Sequence, residues 1–281
     1  MTMNRIGGWK RPVLSGANSV LCLMISFVWL LPFGWILSTS MRPLSEAYAV
    51  PPAFFPEQLN LTNYVKVFRT IPILTFMWNS FVMSFTPTIL MLLITSMAAY
   101  GTSRIRFPGS GVVALVLISG MMIPGSSILV PLFYTMKDLG LVNSKWAVIL
   151  LGIYSPIGFL MMRSFFQTIP KSYDEAAYMD GASHVRIFSR IILPMSSSTM
   201  LVCGLLCFIS NWNGFLVPLV FLSDMENYTI TLGLQFLKSS TTTPTTLILA
   251  GVVIVLIPPI LLYGFFSRYL LQGIMTTGLK S

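Results

Sequence analysis

The chain has 281 residues, 55% of them hydrophobic and only 9% charged, and its mean hydropathy is +0.80. Soluble domains carry about 25% charged residues, so this composition excludes an ordinary soluble globular protein and points to a polytopic membrane protein. The formal net charge of +9 would suggest nucleic acid in a soluble chain, but here it is first a matter of how basic residues distribute between the two sides of a membrane.

Stretches free of ionised residues run over 12–41, 70–103, 107–136, 146–162, 191–223 and 239–267. A helix crosses the hydrocarbon in about 20 residues. The expected fold is therefore all-α, a single transmembrane domain over 1–281 with spans near 14–38, 73–101, 110–135, 146–166, 197–222 and 246–268. The interval 146–162 is short, so Lys145 or Arg163 is expected to snorkel at an end. The first run, preceded by Arg5, Lys10 and Arg11, imitates a signal peptide, and Ala47-Tyr48-Ala49 resembles a cleavage site. Signal h-regions are about 7–15 residues long, so the run is read as an uncleaved span. Pro43, Pro51, Pro52 and Pro56 then favour an irregular external cap over 43–60. Pro87, Pro124-Gly125, Pro156 and Pro258-Pro259 lie inside spans, as hinges or as tolerated kinks. Cys203 and Cys207 share a helix face and read as small buried hydrophobes rather than a redox pair.

Six spans put both termini on one side. With that side cytoplasmic, eleven Lys and Arg lie inside (Arg5, Lys10, Arg11, Arg104, Arg106, Arg163, Lys171, Arg186, Arg190, Arg268, Lys280) and six outside. This bias favours cytoplasmic termini and accounts for the net charge without nucleic acid. No acid or base falls in mid-membrane, which argues against an ion-coupled carrier. Nor is there a nucleophile–base set, a carboxylate pair or a metal-ligand set at membrane depth, so no catalytic and no metal-binding residues are expected.

The largest inside segment is the loop 167–194, which holds SYDEAAYMDGASHVRIFSRIILP. Ser172 with Glu175 three residues later predicts a capping box, with Asp174 and Glu175 in the first turn, where the helix dipole favours anions. Ala176 and Ala177 keep the helix surface small. Gly181 is placed to end the helix and Ser183 to cap a second one. In that second helix Val185, Phe188 and Ile192 would share an apolar face, with Arg186 and Arg190 on another. On these grounds alone the stretch is either a solvated amphipathic linker or a helix–turn–helix lying at the membrane surface.

The spacing Glu175-Ala176-Ala177, three residues, Gly181, nine residues, Ile191, one residue, Leu193-Pro194 resembles the EAA motif of ABC importer permeases. Asp180-Gly181-Ala182 is similar to the carbohydrate, maltose-transporter-type subclass. NLTNYVKVF at 60–68, AAYGTSRIRFPG at 98–109, MMIPGSSILVPLFYTMKDLGLVNS at 121–144, NWNGFLVPLVFL at 211–222, YTITLGLQ at 228–235 and RYLLQGIMTTGLKS at 268–281 resemble other segments of such permeases. One departure is Gly214, where many relatives carry an acid; any polar role of that acid is in doubt here.

The resemblance implies a six-span permease subunit, the shorter of two, in a bacterial cytoplasmic membrane, forming half of a path for a sugar or oligosaccharide. It implies a cytoplasmic coupling helix between spans four and five, carried by Glu175, Ala176, Ala177, Asp180, Gly181, Arg186 and Arg190, which docks on an ATPase. The implied partners are a companion permease, an ATP-binding-cassette ATPase dimer, an extracytoplasmic solute-binding protein and membrane lipid. ATP and Mg belong to the ATPase; this chain has no Gly-rich phosphate loop ending in Gly-Lys-Ser/Thr and binds no cofactor. Asn211, Trp212 and Asn213 offer hydrogen bonds and stacking for a solute path or gate; the alternative is an interfacial Trp anchor. A permease for glycerol phosphate, a polyol or a peptide, and an ATPase-independent carrier, are the remaining alternatives.

Overall fold

The computed structural model describes residues 11–47, 54–239 and 243–278. Arg5, Lys10, Lys280, Tyr48, Ala49, Pro51, Pro52 and residues 240–242 lie outside them. Every regular element among the described residues is helical. They group into two compact units, one within Met1–Thr70 and Ser240–Ile254, the other within Ile71–Ser239 and Val255–Ser281.

In the first unit, α1 (Arg11–Ser40) leads through the short α2 (Leu44–Ala47) to α3 (Thr62–Thr70). The end of α1 is tied to α3 by polar contacts. Asn63 Nδ2 donates to the carbonyls of Ser40 (2.9 Å) and Arg42 (2.8 Å), and the Ser40 and Tyr64 hydroxyls meet at 2.7 Å. Arg42 donates to Ser38 Oγ at 3.0 Å and lies 5.2 Å from the Trp35 ring centroid.

The second unit is built around α4 (Ile73–Arg104), which packs most extensively against α8 (Pro156–Thr168) and α12 (Ser197–Trp212). Its inward face carries Asn79, Ser80, Ser84, Thr88, Thr95, Ser96 and Thr102, all buried. Small residues let helices approach closely where lipid offers no hydrophobic drive. The hydroxyls of Thr88, Ser96 and Thr102 are satisfied by carbonyls one turn back. The outward face is Trp78, Phe81, Phe85, Ile89, Leu93 and Met97, as suits a helix facing hydrocarbon.

Among the described residues four stretches are long and apolar enough to span: Asn18–Ser40, Ile73–Arg104, Lys145–Thr168 and Thr245–Ser267. The last belongs to α15 (Thr245–Gly278). The third expected span is interrupted. α5 (Ser110–Ser119) and a 3₁₀ turn at Gly120–Met122 end before Pro124-Gly125, and α6 resumes at Leu129–Asp138. Proline has no N–H to continue the ladder. The fourth consists of α7 (Lys145–Gly152) and α8, broken where the Ser155 side chain accepts from the Gly158 N–H and Pro156 opens the new helix. The expected span 197–222 is α12 and α13 (Leu216–Phe221), separated at Asn213–Phe215.

Candidate functional site

The stretch singled out by its charges forms α9 (Ser172–Met179), with Asp174 and Glu175 in its first turn. The expected capping box does not form. Lys171 occupies the N-cap position with no side-chain bond, and its backbone is already helical (φ −65, ψ −23). Ser172 thus lies inside the first turn and never reaches the extended conformation a capping side chain requires.

The C-terminus is as anticipated. Gly181 has φ +73, its N–H donates to the Tyr178 carbonyl at 2.9 Å, and the Ala182 N–H donates to Ala177 at 2.9 Å. This bond pair is a Schellman closure, which requires a left-handed residue after the cap. Ser183 then caps α10 (His184–Ile187), accepting from the Arg186 N–H at 3.4 Å. The Tyr178 hydroxyl bridges the turn to His184 Nδ1 at 2.5 Å.

Of the apolar face expected of Val185, Phe188 and Ile192, Ile192 is fully buried and Phe188 packs on the core with its ring 5.2 Å from that of Tyr100, but Val185 is 75% exposed and the fully buried Ile187 takes its place. The five-residue spacing of Ile187 and Ile192 fits the π-helical turn Phe188–Ile192, where the Leu193 N–H donates to the Phe188 carbonyl five residues back. After α11 (Leu193–Met195) the chain bends at Ser196, and the pair His184–Met195 and Ser197–Trp212 is angled by 77°.

Glu175, Ala176, Asp180, Gly181, Arg186 and Arg190 are exposed. Ala177 points the other way. It is buried in a cluster with Tyr100 of α4, Phe166 of α8, and Ile187. The loop therefore has an inner side made of the chain's own core and an outer side that is small, charged and solvent-facing.

Arg104, which sequence reading placed only as an inside charge, anchors this arrangement. Its guanidinium donates to the Ile169 carbonyl (Nη1, 2.7 Å) and the Pro170 carbonyl (Nη2, 3.3 Å), and pairs with Asp174 Oδ2 at 2.9 Å. The two side chains are 3% and 13% exposed. The Arg lies where α8 ends, and a cation there meets carbonyls with no helical donor.

Asn211, Trp212 and Asn213 do different work. Pro156 has no N–H to offer the Gly152 carbonyl four residues back. Asn211 Nδ2 (3.3 Å) and the Cys207 thiol (3.9 Å) supply the donors from α12. Cys203 is buried likewise, 4.0 Å from the Gly158 carbonyl. Trp212 is 2% exposed and stacks on Phe208 at 5.7 Å. The ring is thus packed within the protein rather than presented on its surface. Asn213 alone of the three is exposed.

At the other end of α4, polar groups converge that sequence reading missed. Asn79 donates to the carbonyls of Glu226 (2.7 Å) and Tyr228 (3.0 Å) and accepts from Lys145 Nζ (2.7 Å). Ser80 Oγ accepts from the Ile230 N–H at 2.7 Å. Asn143, with φ +61, accepts from the N–H groups of Ser223 and Asp224, both at 3.0 Å, and donates to the Asp224 carboxylate at 2.6 Å. One cavity, about 650 Å³ between α4, α12 and α15, is lined by Phe81, Phe85, Leu92, Leu205 and Phe208 among other almost wholly apolar groups and does not suit a polar solute. Another, about 230 Å³, lies at the break between α7 and α8 beside Thr95, Tyr154 and Ser155.

Residues 93–275 match the family described as binding-protein-dependent transport system inner membrane components. The chain is 30% identical over 255 residues to the inner membrane ABC transporter permease protein YcjP of Escherichia coli, covering 89% of this chain and 91% of that one. It is 31% identical to the arabinooligosaccharides transport system permease protein AraQ of Halalkalibacterium halodurans, covering 96% and 98%. Its fold is similar to a chain in the crystal structure of a bacterial ABC transporter involved in the import of the acidic polysaccharide alginate. The TM-score is 0.80 at 22% identity, over 95% of this chain and 99% of that chain.

Proposed function

Because this chain belongs to the binding-protein-dependent transport system inner membrane components, we propose that it is a six-span permease subunit of an ATP-driven importer whose solute is a sugar or oligosaccharide. Residues 1–281 act as one transmembrane domain in the bacterial cytoplasmic membrane, with both termini and the loop 167–194 on the cytoplasmic side. The four long apolar stretches, with α5 and α6 and with α12 and α13 read as two further, interrupted spans, support the count of six. The arabinooligosaccharide relative supports a sugar, as does a path free of mid-membrane charge.

The observation that carries the reading is the two-sided geometry of α9. Ala177 locks into the chain's own core while Glu175, Ala176, Asp180, Gly181, Arg186 and Arg190 face outward. That outer side is the docking surface for an ATP-binding-cassette ATPase dimer, which binds ATP and Mg and does the hydrolysis. Ala177 serves the dock from beneath. Met179, 89% exposed at the tip of α9, adds an apolar contact. A companion permease completes the path and an extracytoplasmic binding protein delivers the solute. Asn213 is the residue of its trio available to line the path; Asn211 and Trp212 hold the walls. ATP binding moves the spans only by favouring one of their arrangements over another.

Copurification with the products of neighbouring genes, joined to solute uptake, tests this. Glu175→Lys should abolish uptake with the chain still in the membrane, and the cognate binding protein should bind a mono- or oligosaccharide from a panel. Recovery of no ATPase, with uptake unchanged in Glu175→Lys, would sink the reading.

A further inference from the structure

Resting on the reading of α9 as the ATPase dock, we infer that Arg104 is a positioning residue that makes the end of α4 and α9 move as one body. In sequence α9 is attached to α8 through Ile169–Lys171 and to α10 through Asp180–Ser183. Links of that length allow a docked helix to swivel without moving anything else. Arg104 removes that freedom. From the last residue of α4 its planar fork grips the Ile169 and Pro170 carbonyls of the α8–α9 link and Asp174 in the first turn of α9. The geometry of the fork matters as much as the charge, since a guanidinium holds several acceptors in fixed directions and an ammonium does not.

Burial makes the grip stiff. With Arg104 3% and Asp174 13% exposed, neither charge has water to fall back on. Separating such a pair leaves a buried charge uncompensated, which costs far more than separating a surface pair. Arg104 Nε and Asp174 Oδ1 are themselves buried without hydrogen-bond partners, so no third group shares either charge if the pair separates. Ala177 and Tyr100 extend the same junction through apolar contact. Any displacement imposed on α9 is therefore delivered to α4 as well as to α8.

The test uses the transporter purified with its ATPase, companion permease and binding protein, with the exposed Cys22 changed to Ser; Cys203 and Cys207 are buried and stay. Spin labels at Ser172 and Phe107 report across the junction, and labels at Ser172 and Tyr134 report motion relative to a distant helix. With a non-hydrolysable ATP analogue the second distance is expected to shift and the first to stay within its resting distribution. In Arg104→Gln the ATPase should still copurify, but the first distance becomes nucleotide-dependent. The fraction of molecules in which Phe107 follows α9 falls about tenfold, within the usual range of coupling between sites. Arg104→Lys lies between. Asp174→Asn, which keeps the carbonyl bonds of Arg104, gives a weaker form of the same loss and serves if Arg104→Gln does not assemble. A contact that only stabilised the fold would lower thermal stability and leave Phe107 in step with Ser172. That result, or a Ser172–Phe107 distance that changes in the unmodified junction, overturns the inference. A purified chain that never carries an ATPase overturns instead the functional reading on which it rests.

Discussion

Gly152→Ala is expected to destabilise the protein because of one neighbour, and removing that neighbour should rescue it. A Cβ at position 152 would lie 2.6 Å from Asn211 Oδ1, 3.2 Å from Asn211 Cγ and 3.2 Å from Pro87 Cβ. The first distance is about 0.8 Å inside ordinary contact at 3.4 Å, so the amide must move. It cannot swing freely, because its Nδ2 is the donor to the carbonyl of Gly152 itself. The substitution therefore loses that bond, about 0.6–1.7 kcal/mol inside a membrane protein, and adds overpacking of about 1–3 kcal/mol. Alanine's better helix propensity returns about 1 kcal/mol. The net cost is about 1–4 kcal/mol. Asn211→Ala alone costs about 1 kcal/mol, less than a full orphaned carbonyl because the Cys207 thiol remains. In the Asn211→Ala background Gly152→Ala meets only Pro87, and its cost should fall to about zero, a non-additivity of about 1–4 kcal/mol. The assay is thermal unfolding in detergent with a thiol-reactive dye, reading exposure of the buried Cys203 and Cys207 in a Cys22→Ser background. Additive costs for the two substitutions would refute the reasoning.

Two other predictions use the same assay. Trp212→Phe should leave stability within about 1 kcal/mol of the starting protein, since the Nε1 it removes is buried without a partner, whereas Trp212→Ala should cost about 3–5 kcal/mol through the cavity; an equal loss in both would contradict this. Asn143→Ala should cost about 2–3 kcal/mol by breaking the bonds to Ser223 and Asp224 and by forcing alanine to φ +61. Asn143→Gly, which accepts that φ, should be the milder change despite its smaller side chain, and the reverse order would show that backbone strain is not the cause.

The parts of the loop that were legible in the sequence are those decided within a few residues. The closure at Gly181 and the cap at Ser183 depend on local backbone demands, and they form where the spacing puts them. What failed depended on partners far along the chain. Ser172 and Glu175 were expected to cap α9 and do not, while Asp174, in the first turn as expected, pairs with Arg104, 70 residues away. Val185 was placed on the inner face by a regular α-helical period, and the π-turn shifts that face onto Ile187 and Ile192. Asn211 looked like a solute ligand because a polar side chain in an apolar run demands a reason. The reason found is a carbonyl left open by a proline in another helix, which only the packing of α8 beside α12 reveals. The breaks of the third and fourth spans, by contrast, fall at Pro124-Gly125 and Pro156, as their chemistry dictates.

Span α4 is fastened near both of its extremities. Arg104 holds one to the α8–α9 link, and Asn79 with Ser80 holds the other to residues 226–230. The fastenings are 25 residues apart, which at 1.5 Å per residue is about 38 Å of continuous helix. A helix resists stretching along its axis far more than bending across it, so it behaves as a tie rod. A pull at Arg104 must appear at Asn79 unless the rod gives on the way. Its one weak link is Pro87, buried at about two-thirds of the distance from Arg104 to Asn79, where the backbone lacks a hydrogen bond. Stiffness at that proline, together with the fastenings at the two ends, then sets how much of a movement at one end of α4 is felt at the other.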